Sequence, residues 1–212
     1  MPTLSRRGPW FTLVCVLLFG LFLIRYGSAD PGGGPPQPRP AAAVHRPTPA
    51  AALLPAAPDP LPRAAPLRLT VPSAGVKAPL TPVGLDAEGW IASPSARDRN
   101  LAGWYAASVS PGERGTSVIT GHVDTKAGPA VFQDLGSLER GAHVEVRRGD
   151  GRTAVFAVYA VELYTRKDFP AEKIYADAPE AELRLITCGG DFSKRTGYEG
   201  NVVAFARLIA IR

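Results

Sequence analysis

The sequence predicts a mainly β domain, folded as a closed or nearly closed barrel with a few short helices. The second half of the chain contains short runs rich in Val, Ile, Leu and Phe, separated by Gly, Pro and Asp turns. Gly149-Asp150-Gly151 indicates a hairpin between two of these runs. Seven or eight strands in about 145 residues favour one core enclosed by a barrel. The predicted strands are Leu67–Val71, Val76–Leu80, Thr116–Thr120, Ala142–Val146, Thr153–Val161, Leu183–Thr187 and Val202–Ile209, and the best helical candidates are Ala130–Leu138 and Arg99–Ala106.

An apolar segment at the N-terminus predicts attachment to a membrane. Arg6 and Arg7 precede the apolar run Trp10–Ile24, and such basic residues favour a cytoplasmic N-terminus. The run has about 15 residues, fewer than the roughly 20 of a typical spanning helix. Gly27-Ser28-Ala29 resembles a cleavage site, so a removed signal peptide stays open as an alternative. We interpret residues 1–29 as a cytoplasmic stub and a single-pass membrane anchor, with the rest of the chain outside the cell.

A linker follows the apolar segment. Residues 30–66 are mostly Pro, Ala and Gly, and they have too few large apolar side chains to offset the entropy lost on ordering. In the extended polyproline conformation, at about 3.1 Å per residue, this linker could span on the order of 100 Å. Residues 67–212 then form the single folded domain.

Charge and composition exclude several classes of function. The formal net charge is +5, but Lys and Arg are interspersed among Asp and Glu in the globular part and form no basic run, so we expect no binding to nucleic acid. The three histidines are scattered, and no second cysteine lies at ligand spacing, although a zinc site needs three or four such groups. No dense acidic pattern suggests calcium either. We therefore expect no metal and no cofactor.

The run Leu183–Asp191 presents one cysteine, Cys188, immediately before a pair of glycines. The other cysteine, Cys15, lies within the apolar N-terminal segment and cannot sensibly pair with it. In an exported domain Cys188 is then an unpaired thiol in an oxidising compartment, which suggests reactivity or intermolecular pairing. An inert, buried cysteine within a strand remains the competing interpretation.

A nucleophilic cysteine needs a partner that exchanges protons, and histidine is the usual one. His45 lies in the linker. His143 alternates with apolar residues along its strand, so it lies on the opposite face, which should be solvated. His122 remains, in Thr120–Asp124, where an apolar strand gives way to a loop. A histidine that only caps the turn beside Asp124 is the alternative.

A third role belongs to a positive group that stabilises an oxyanion. Arg184 lies four residues from Cys188 along its strand, about 13 Å away, which is too far. Arg207 is either a wall residue or a surface residue of the last strand, and Arg166 could approach only if its loop folds over the site. Arg195 ranks first because the glycines of its loop allow it to turn back towards the sulfur.

Two motifs together, Thr120-Gly121-His122-Val123-Asp124 and Leu185-Ile186-Thr187-Cys188-Gly189-Gly190, resemble those of the sortases, the membrane-anchored cysteine transpeptidases of Gram-positive bacteria. The sequence looks most like the class F group of actinobacteria. The resemblance covers essentially the whole domain, and it extends to the segments Pro82–Asp86, Gly103–Tyr105, Pro111–Glu113, Gly128–Phe132 and Asn201–Val203.

The resemblance implies an eight-stranded sortase barrel with a Cys, His and Arg site and no cofactor. It places the nucleophile on Cys188 and the general acid and base on His122. The arginine carries over less directly, because the segment Phe192–Asn201 is one residue shorter than in that group and Asn201 stands where other classes have arginine. Arg195 is the nearest match.

The function implied is cleavage of the Thr–Gly bond of an LPXTG-like sorting signal through a Cys188 thioester, followed by transfer to an amine of a peptidoglycan precursor. We expect a monomer. Two rival functions stay open: a cysteine hydrolase, in which water resolves the thioester, and a catalytically silent barrel that binds peptides.

Overall fold

The computed structural model describes residues 14, 16–17, 34–38, 54 and 56–212 of the chain. Ten strands follow one another in the domain, with one short α-helix, α1, at Ala171–Tyr175 and 3₁₀ turns at Pro72–Ala74 and Leu135–Ser137. The strands are β1 (Pro66–Val71), β2 (Val76–Val83), β3 (Ala102–Tyr105), β4 (Gly115–Gly121), β5 (Asp124–Thr125), β6 (Gly128–Pro129), β7 (His143–Arg148), β8 (Thr153–Thr165), β9 (Ala181–Ser193) and β10 (Gly197–Ile211).

Eight of these strands close into a barrel in the order β1-β2-β3-β4-β9-β10-β8-β7, and β5 pairs with β6 in a separate hairpin. The predicted β-barrel with few helices is therefore confirmed. Most neighbours are antiparallel, but β4 and β9 are parallel, as are β2 and β3. A parallel pair needs a long crossover, and the connection from β4 to β9 contains four other strands.

The alternation of side chains along each strand creates two apolar clusters. The inner cluster fills the barrel and includes Leu69, Ile119, Phe156, Leu185 and Leu208. The outer cluster lies on the other face of the strands that surround β9. Its buried members are Val118, Ala160, Ile174, Ile186, Val203 and Phe205. The strands beside β9 are thus covered on both faces, which explains why their sequences are almost continuously apolar.

One predicted helix is wrong, and another is shorter than predicted. The segment Arg99–Ala106 contains strand β3, because Ala102–Tyr105 pairs with β2 on one side and β4 on the other. Within Ala130–Leu138 only Leu135–Ser137 is helical, as a 3₁₀ turn. Both segments contain alanines and leucines that suit a helix, but in Arg99–Ala106 the ladder hydrogen bonds of the barrel outweigh that local preference.

The chain enters the barrel beside a fully buried arginine. Leu61 is buried, and its N–H donates to the carbonyl of Gly112 at 2.8 Å. The Arg148 guanidinium donates to the carbonyls of Pro62 and Pro111, and it forms an ion pair with Asp150 at 3.1 Å. This guanidinium joins the incoming chain, a loop and the hairpin after β7.

The N-terminal predictions largely concern residues that the structure does not describe. By its contacts the chain divides into two units, Met1–Gly34 and Pro35–Arg212. No helix among the described residues is both long enough and apolar enough to cross a bilayer. The predicted anchor over Trp10–Ile24 lies mostly outside the described residues, and it stays a prediction.

Replacing Arg148 by Ala should destabilise the domain by about 3–5 kcal/mol, because the carbonyls and the carboxylate that it contacts lose a buried, charged partner. The measurement is urea unfolding of both proteins. Arg147→Ala, at the exposed neighbouring position of the same strand, is the matched control and should change the free energy of unfolding by less than about 0.5 kcal/mol. An equal effect of the two substitutions would contradict this account of the buried guanidinium.

Candidate active site

Cys188 is a free, half-buried thiol on the outer face of the barrel. It follows Ile186 on β9 with the alternation of a strand, and Ile186 belongs to the outer apolar cluster. Its antiparallel partner on β10 is Asn201, which in turn pairs with Tyr164 on β8. The sequence predicts a strand that ends at Thr187, but β9 continues to Ser193, so Cys188 lies within the strand and not at its end.

The parallel pairing of β4 with β9 aligns His122 with Cys188. Every paired residue from Gly115↔Ala181 to Thr120↔Ile186 is offset by the same number of positions. The Thr187 hydroxyl continues this register by donating to the Gly121 carbonyl at 2.8 Å. The next residue is His122, immediately after β4, on one side and Cys188, within β9, on the other. Continued alternation directs both positions outwards. The register therefore aligns the two residues that the sequence singled out at equivalent positions of neighbouring segments.

His122 is held by the loop between β2 and β3. Its Nε2 donates to the carbonyl of Pro94 at 2.7 Å, since a carbonyl can only accept. The backbone carbonyl of His122 accepts from the Phe132 N–H at 3.0 Å. With the proton on Nε2, Nδ1 is the nitrogen that can take up a further proton. The ring is therefore oriented and is suited to proton exchange.

Burial and two charges act on the thiol in opposite directions. Burial raises the pKa of Cys188, the Arg166 guanidinium opposes that rise, and the Asp124 carboxylate adds to it. Arg166 begins the connection from β8 to β9, and its N–H donates to the Glu199 carbonyl at 2.9 Å. The backbone of Arg166 is thus fixed beside Glu199 of β10, which lies two residues before Asn201, the strand partner of Cys188.

Sequence reasoning missed Asp124 and Tyr198 as parts of the site. The Tyr198 hydroxyl donates to Asp124 Oδ2 at 2.5 Å and so joins the loop after His122 to the start of β10. Burial and this hydrogen bond raise the pKa of Tyr198 above its ordinary range. The only sequence signal for Asp124 was its place two residues after His122, and nothing local pointed to Tyr198.

The other arginines have different surroundings. Arg184 is buried, forms an ion pair with Glu182 at 2.6 Å and donates to the Ile174 carbonyl at 3.2 Å. Arg207 forms an ion pair with Glu180 at 3.0 Å. Arg195 is exposed, its backbone N–H donates to the Ser193 hydroxyl, and its guanidinium makes no hydrogen bond or ion pair with any of the described residues. The third role predicted for Arg195 stays a prediction.

Apolar and aromatic side chains line the outer face beside Cys188. The partly buried members of the outer cluster come from two loops, strands β3 and β8 and helix α1: Ile91, Tyr105, Tyr159, Tyr164, Phe169 and Tyr175. The Phe169 ring lies 6.1 Å from that of Tyr164 and 5.9 Å from that of Tyr175. Such a surface suits an extended peptide with apolar side chains. Across residues 56–212 and the shorter described segments, no group of three or more His, Cys, Asp or Glu side chains could hold a metal ion.

The described strands form a closed barrel in which the register of β4 with β9 aligns a histidine with a cysteine. Residues 69–209 match the family model described as the sortase domain. This match covers more than half of the chain, which therefore belongs to the sortase family. A comparison with curated proteins found no match.

Solved structures of sortases share the fold at low sequence identity. A lid mutant of sortase A from Corynebacterium diphtheriae has 18% identity and a TM-score of 0.53, with 71% of this chain and 73% of that chain covered. Sortase A from Listeria monocytogenes has 16% identity and a TM-score of 0.51, with 71% and 90% covered. The SrtA sortase from Actinomyces oris has 20% identity and a TM-score of 0.51, with 76% and 88% covered.

Arg166→Ala should slow the reaction of Cys188 with iodoacetamide at pH 7.5 by about two- to fivefold. The guanidinium lowers the pKa of the thiol, so its removal raises that pKa, decreases the thiolate fraction and shifts the pH–rate profile towards higher pH. Asp124→Asn should shift the profile in the opposite direction. Lys167→Ala, which removes the same charge from the exposed neighbouring position, is the control. Equal profiles for the Arg166 and Lys167 variants would contradict the assigned electrostatic contact.

Proposed function

We propose that this protein is a sortase transpeptidase that cleaves LPXTG-like sorting signals between Thr and Gly. The observation that supports the proposal is the register of β4 with β9, whose continuation beyond Gly121 and Thr187 aligns His122 with Cys188. Membership of the sortase family supports the same reaction, because sortases are generally cysteine transpeptidases.

In the first half of the reaction, the Cys188 thiolate attacks the carbonyl carbon of the signal's Thr residue. The tetrahedral intermediate collapses, the C–N bond to Gly breaks, and His122 gives its proton to the departing amine. A thioester on Cys188 remains. In the second half an incoming amine attacks the thioester, His122 accepts the amine proton, and the sulfur leaves as the new amide forms.

The raised pKa of Cys188 determines at which step the thiolate nucleophile forms. Burial favours the neutral thiol in the free protein. Proton transfer to His122 would then generate the thiolate as the substrate binds. Backbone N–H groups near the end of β9 and one guanidinium would stabilise the oxyanion.

Two arginines compete for the cationic role. The sequence favours Arg195, the nearest match to the family's arginine. The electrostatic effect of Arg166 on the thiol supports Arg166 instead, together with its backbone hydrogen bond to β10. We propose Arg166 for this role and retain Arg195 as the alternative.

The apolar outer cluster supports a peptide substrate whose aliphatic side chains pack against Ile186, Val203 and the nearby aromatic rings. We further propose that the acceptor is an amine of a peptidoglycan precursor, and that the enzyme is a monomer held at the outer face of the cell membrane by its N-terminal segment. Assignment to class F of the actinobacteria rests on the sequence motifs alone and is part of the same proposal.

Cys188→Ala and His122→Ala should each remove most of the activity towards a fluorescent LPXTG peptide. We expect a loss of about 1,000-fold or more for Cys188 and of about 100- to 10,000-fold for His122, because one forms the acyl bond and the other moves the proton. His143→Ala, on the exposed face of β7, is the matched control and should retain full activity. Cleavage at the parental rate by the Cys188 variant would refute the proposed function.

The products distinguish transfer from its rivals. Mass spectrometry with added triglycine should give the transpeptidation product, whereas a hydrolase gives only the free acid in the presence or absence of amine. No product, together with a thiol that does not react with a peptide vinyl sulfone, would support the silent peptide-binding barrel.

Arg166→Ala should decrease kcat/KM for the same peptide by about 100- to 1,000-fold if its guanidinium stabilises the oxyanion. Arg195→Ala should then have a small effect, as should the exposed control Lys167→Ala. Full activity of the Arg166 variant with an inactive Arg195 variant would overturn the proposed assignment and favour the sequence-based one.

A further inference from the structure

Part of the predicted linker is docked on the barrel. The structure describes Gly34–Pro38 within residues 30–66, and Pro35–Pro38 belong by their contacts to the same unit as the barrel. Pro35 and Pro38 are buried. The Gly190 N–H donates to Gln37 Oε1 at 2.9 Å. A segment whose composition predicts disorder thus has two buried rings and a hydrogen bond to the nucleophile's strand.

The docking groove is formed by glycines. A Cβ added to Gly136, in the 3₁₀ turn, would lie only 2.0 Å from the Pro36 carbonyl oxygen and 3.1 Å from Pro38 Cδ. A Cβ added to Gly189 would lie 3.0 Å from Gln37 Oε1 and would also meet Val202. Any larger residue at Gly136 would therefore exclude the segment. The groove accepts the segment because these positions carry no side chain.

The groove lies behind the nucleophile and not in the proposed peptide-binding surface. Side chains alternate along β9, so Gly189 faces the opposite side from Cys188. Gly189 contacts Val202 of the inner cluster, whereas Cys188 continues the outward row of Ile186. A docked segment therefore leaves the thiol accessible to substrate.

The chain is thus attached to both ends of the barrel. The continuous backbone enters at Leu61, and β1 begins opposite Arg148 at the end that carries the hairpin after β7. Gly190 lies at the other end, near the end of β9 and the last residue of β8. Strand β8 has 13 residues, which corresponds to about 43 Å at 3.3 Å per residue. Docking therefore moves the first attachment point of the chain from one end of β8 to the other.

We propose that Pro35–Pro38 is an intramolecular docking segment that determines which end of the barrel faces the membrane. The orientation argument rests on the membrane attachment proposed above, whereas the docking itself does not. From Ala29 the chain reaches Pro35 in six residues, about 19 Å when extended, and reaches Leu61 in about 100 Å. In the docked form the chain that leads to the proposed anchor leaves the barrel at its Cys188 end. The undocked form is tethered by the opposite end and lets Cys188 move outwards.

Paramagnetic relaxation in the full-length chain, reconstituted in nanodiscs, tests the docking. A spin label is attached at Gly34→Cys, in a background with Cys15→Ser and Cys188→Ser. No atom lies within 4 Å of a Cβ at Gly34. Docking should strongly broaden the amide signals of Gly136, Gly189 and Gly190. Gly136→Ala should remove the broadening, whereas Gly84→Ala should keep it, because a Cβ at Gly84 meets nothing within 4 Å.

A second variant distinguishes loss of docking from a folding defect caused by the substitution at Gly136. The double substitution Pro35→Ser with Pro38→Ser changes only the segment, so the barrel spectrum should be retained while the broadening is lost. Absence of broadening in the parent, or broadening that survives both variants, would overturn the docking proposal.

Energy transfer to acceptor-labelled lipids tests the orientation. Donors are placed at Lys194→Cys, near the Cys188 end, and at Gly149→Cys, at the opposite end, in the same background without other cysteines. With docking intact the donor at position 194 should transfer more energy than the donor at 149, and the double Pro variant should abolish or reverse that difference. Equal transfer from the two donors in the parent overturns the orientation proposal. Absence of energy transfer from either donor refutes the membrane attachment. The relaxation measurement at Gly190 tests docking independently of that attachment.

Discussion

The parallel pairing of β4 with β9 is the constraint on which the site depends. A constant register over Gly115–Thr120 and Ala181–Ile186, extended by the Thr187 hydroxyl, aligns two residues that are far apart in the chain. Because side chains alternate along a strand, a slip of one residue would turn Cys188 or His122 to the opposite face. The apolar clusters on both faces of these strands hold the register, since a slip would also move Leu185 out of the inner cluster and Ile186 out of the outer one. The same packing that stabilises the barrel therefore positions the proposed chemistry.

Much of the fold could be read from local patterns, because seven of the barrel strands carry β-branched and apolar residues between clear turn signals. Strand β3 could not, because Ala102-Gly103-Trp104-Tyr105 is short and is specified by its two neighbours rather than by its own residues. Cys188 and His122 were identifiable from residue type and place. The surroundings of the thiol were not, since Arg166, Asp124 and Tyr198 reach it through non-local pairings that no single stretch of sequence reveals.

The Pro-rich region shows how one composition can serve two purposes. Few large apolar side chains argue against an independent core, and that argument still holds for the region as a whole. Yet proline restricts the backbone before binding, so a short Pro-rich segment loses little entropy when it docks. The groove at Gly136 and Gly189 takes such a segment because the missing side chains let two backbones approach closely. The prolines supply rigidity, and the glycines on the barrel supply space.

The half-buried position of Cys188 also affects how readily its thiol is oxidised. Peroxides and other oxidants attack the thiolate far faster than the neutral thiol. Each unit by which the pKa of a cysteine rises decreases the thiolate fraction at neutral pH about tenfold. By favouring the protonated sulfur, burial in the barrel decreases the reactivity of this free cysteine towards oxidants.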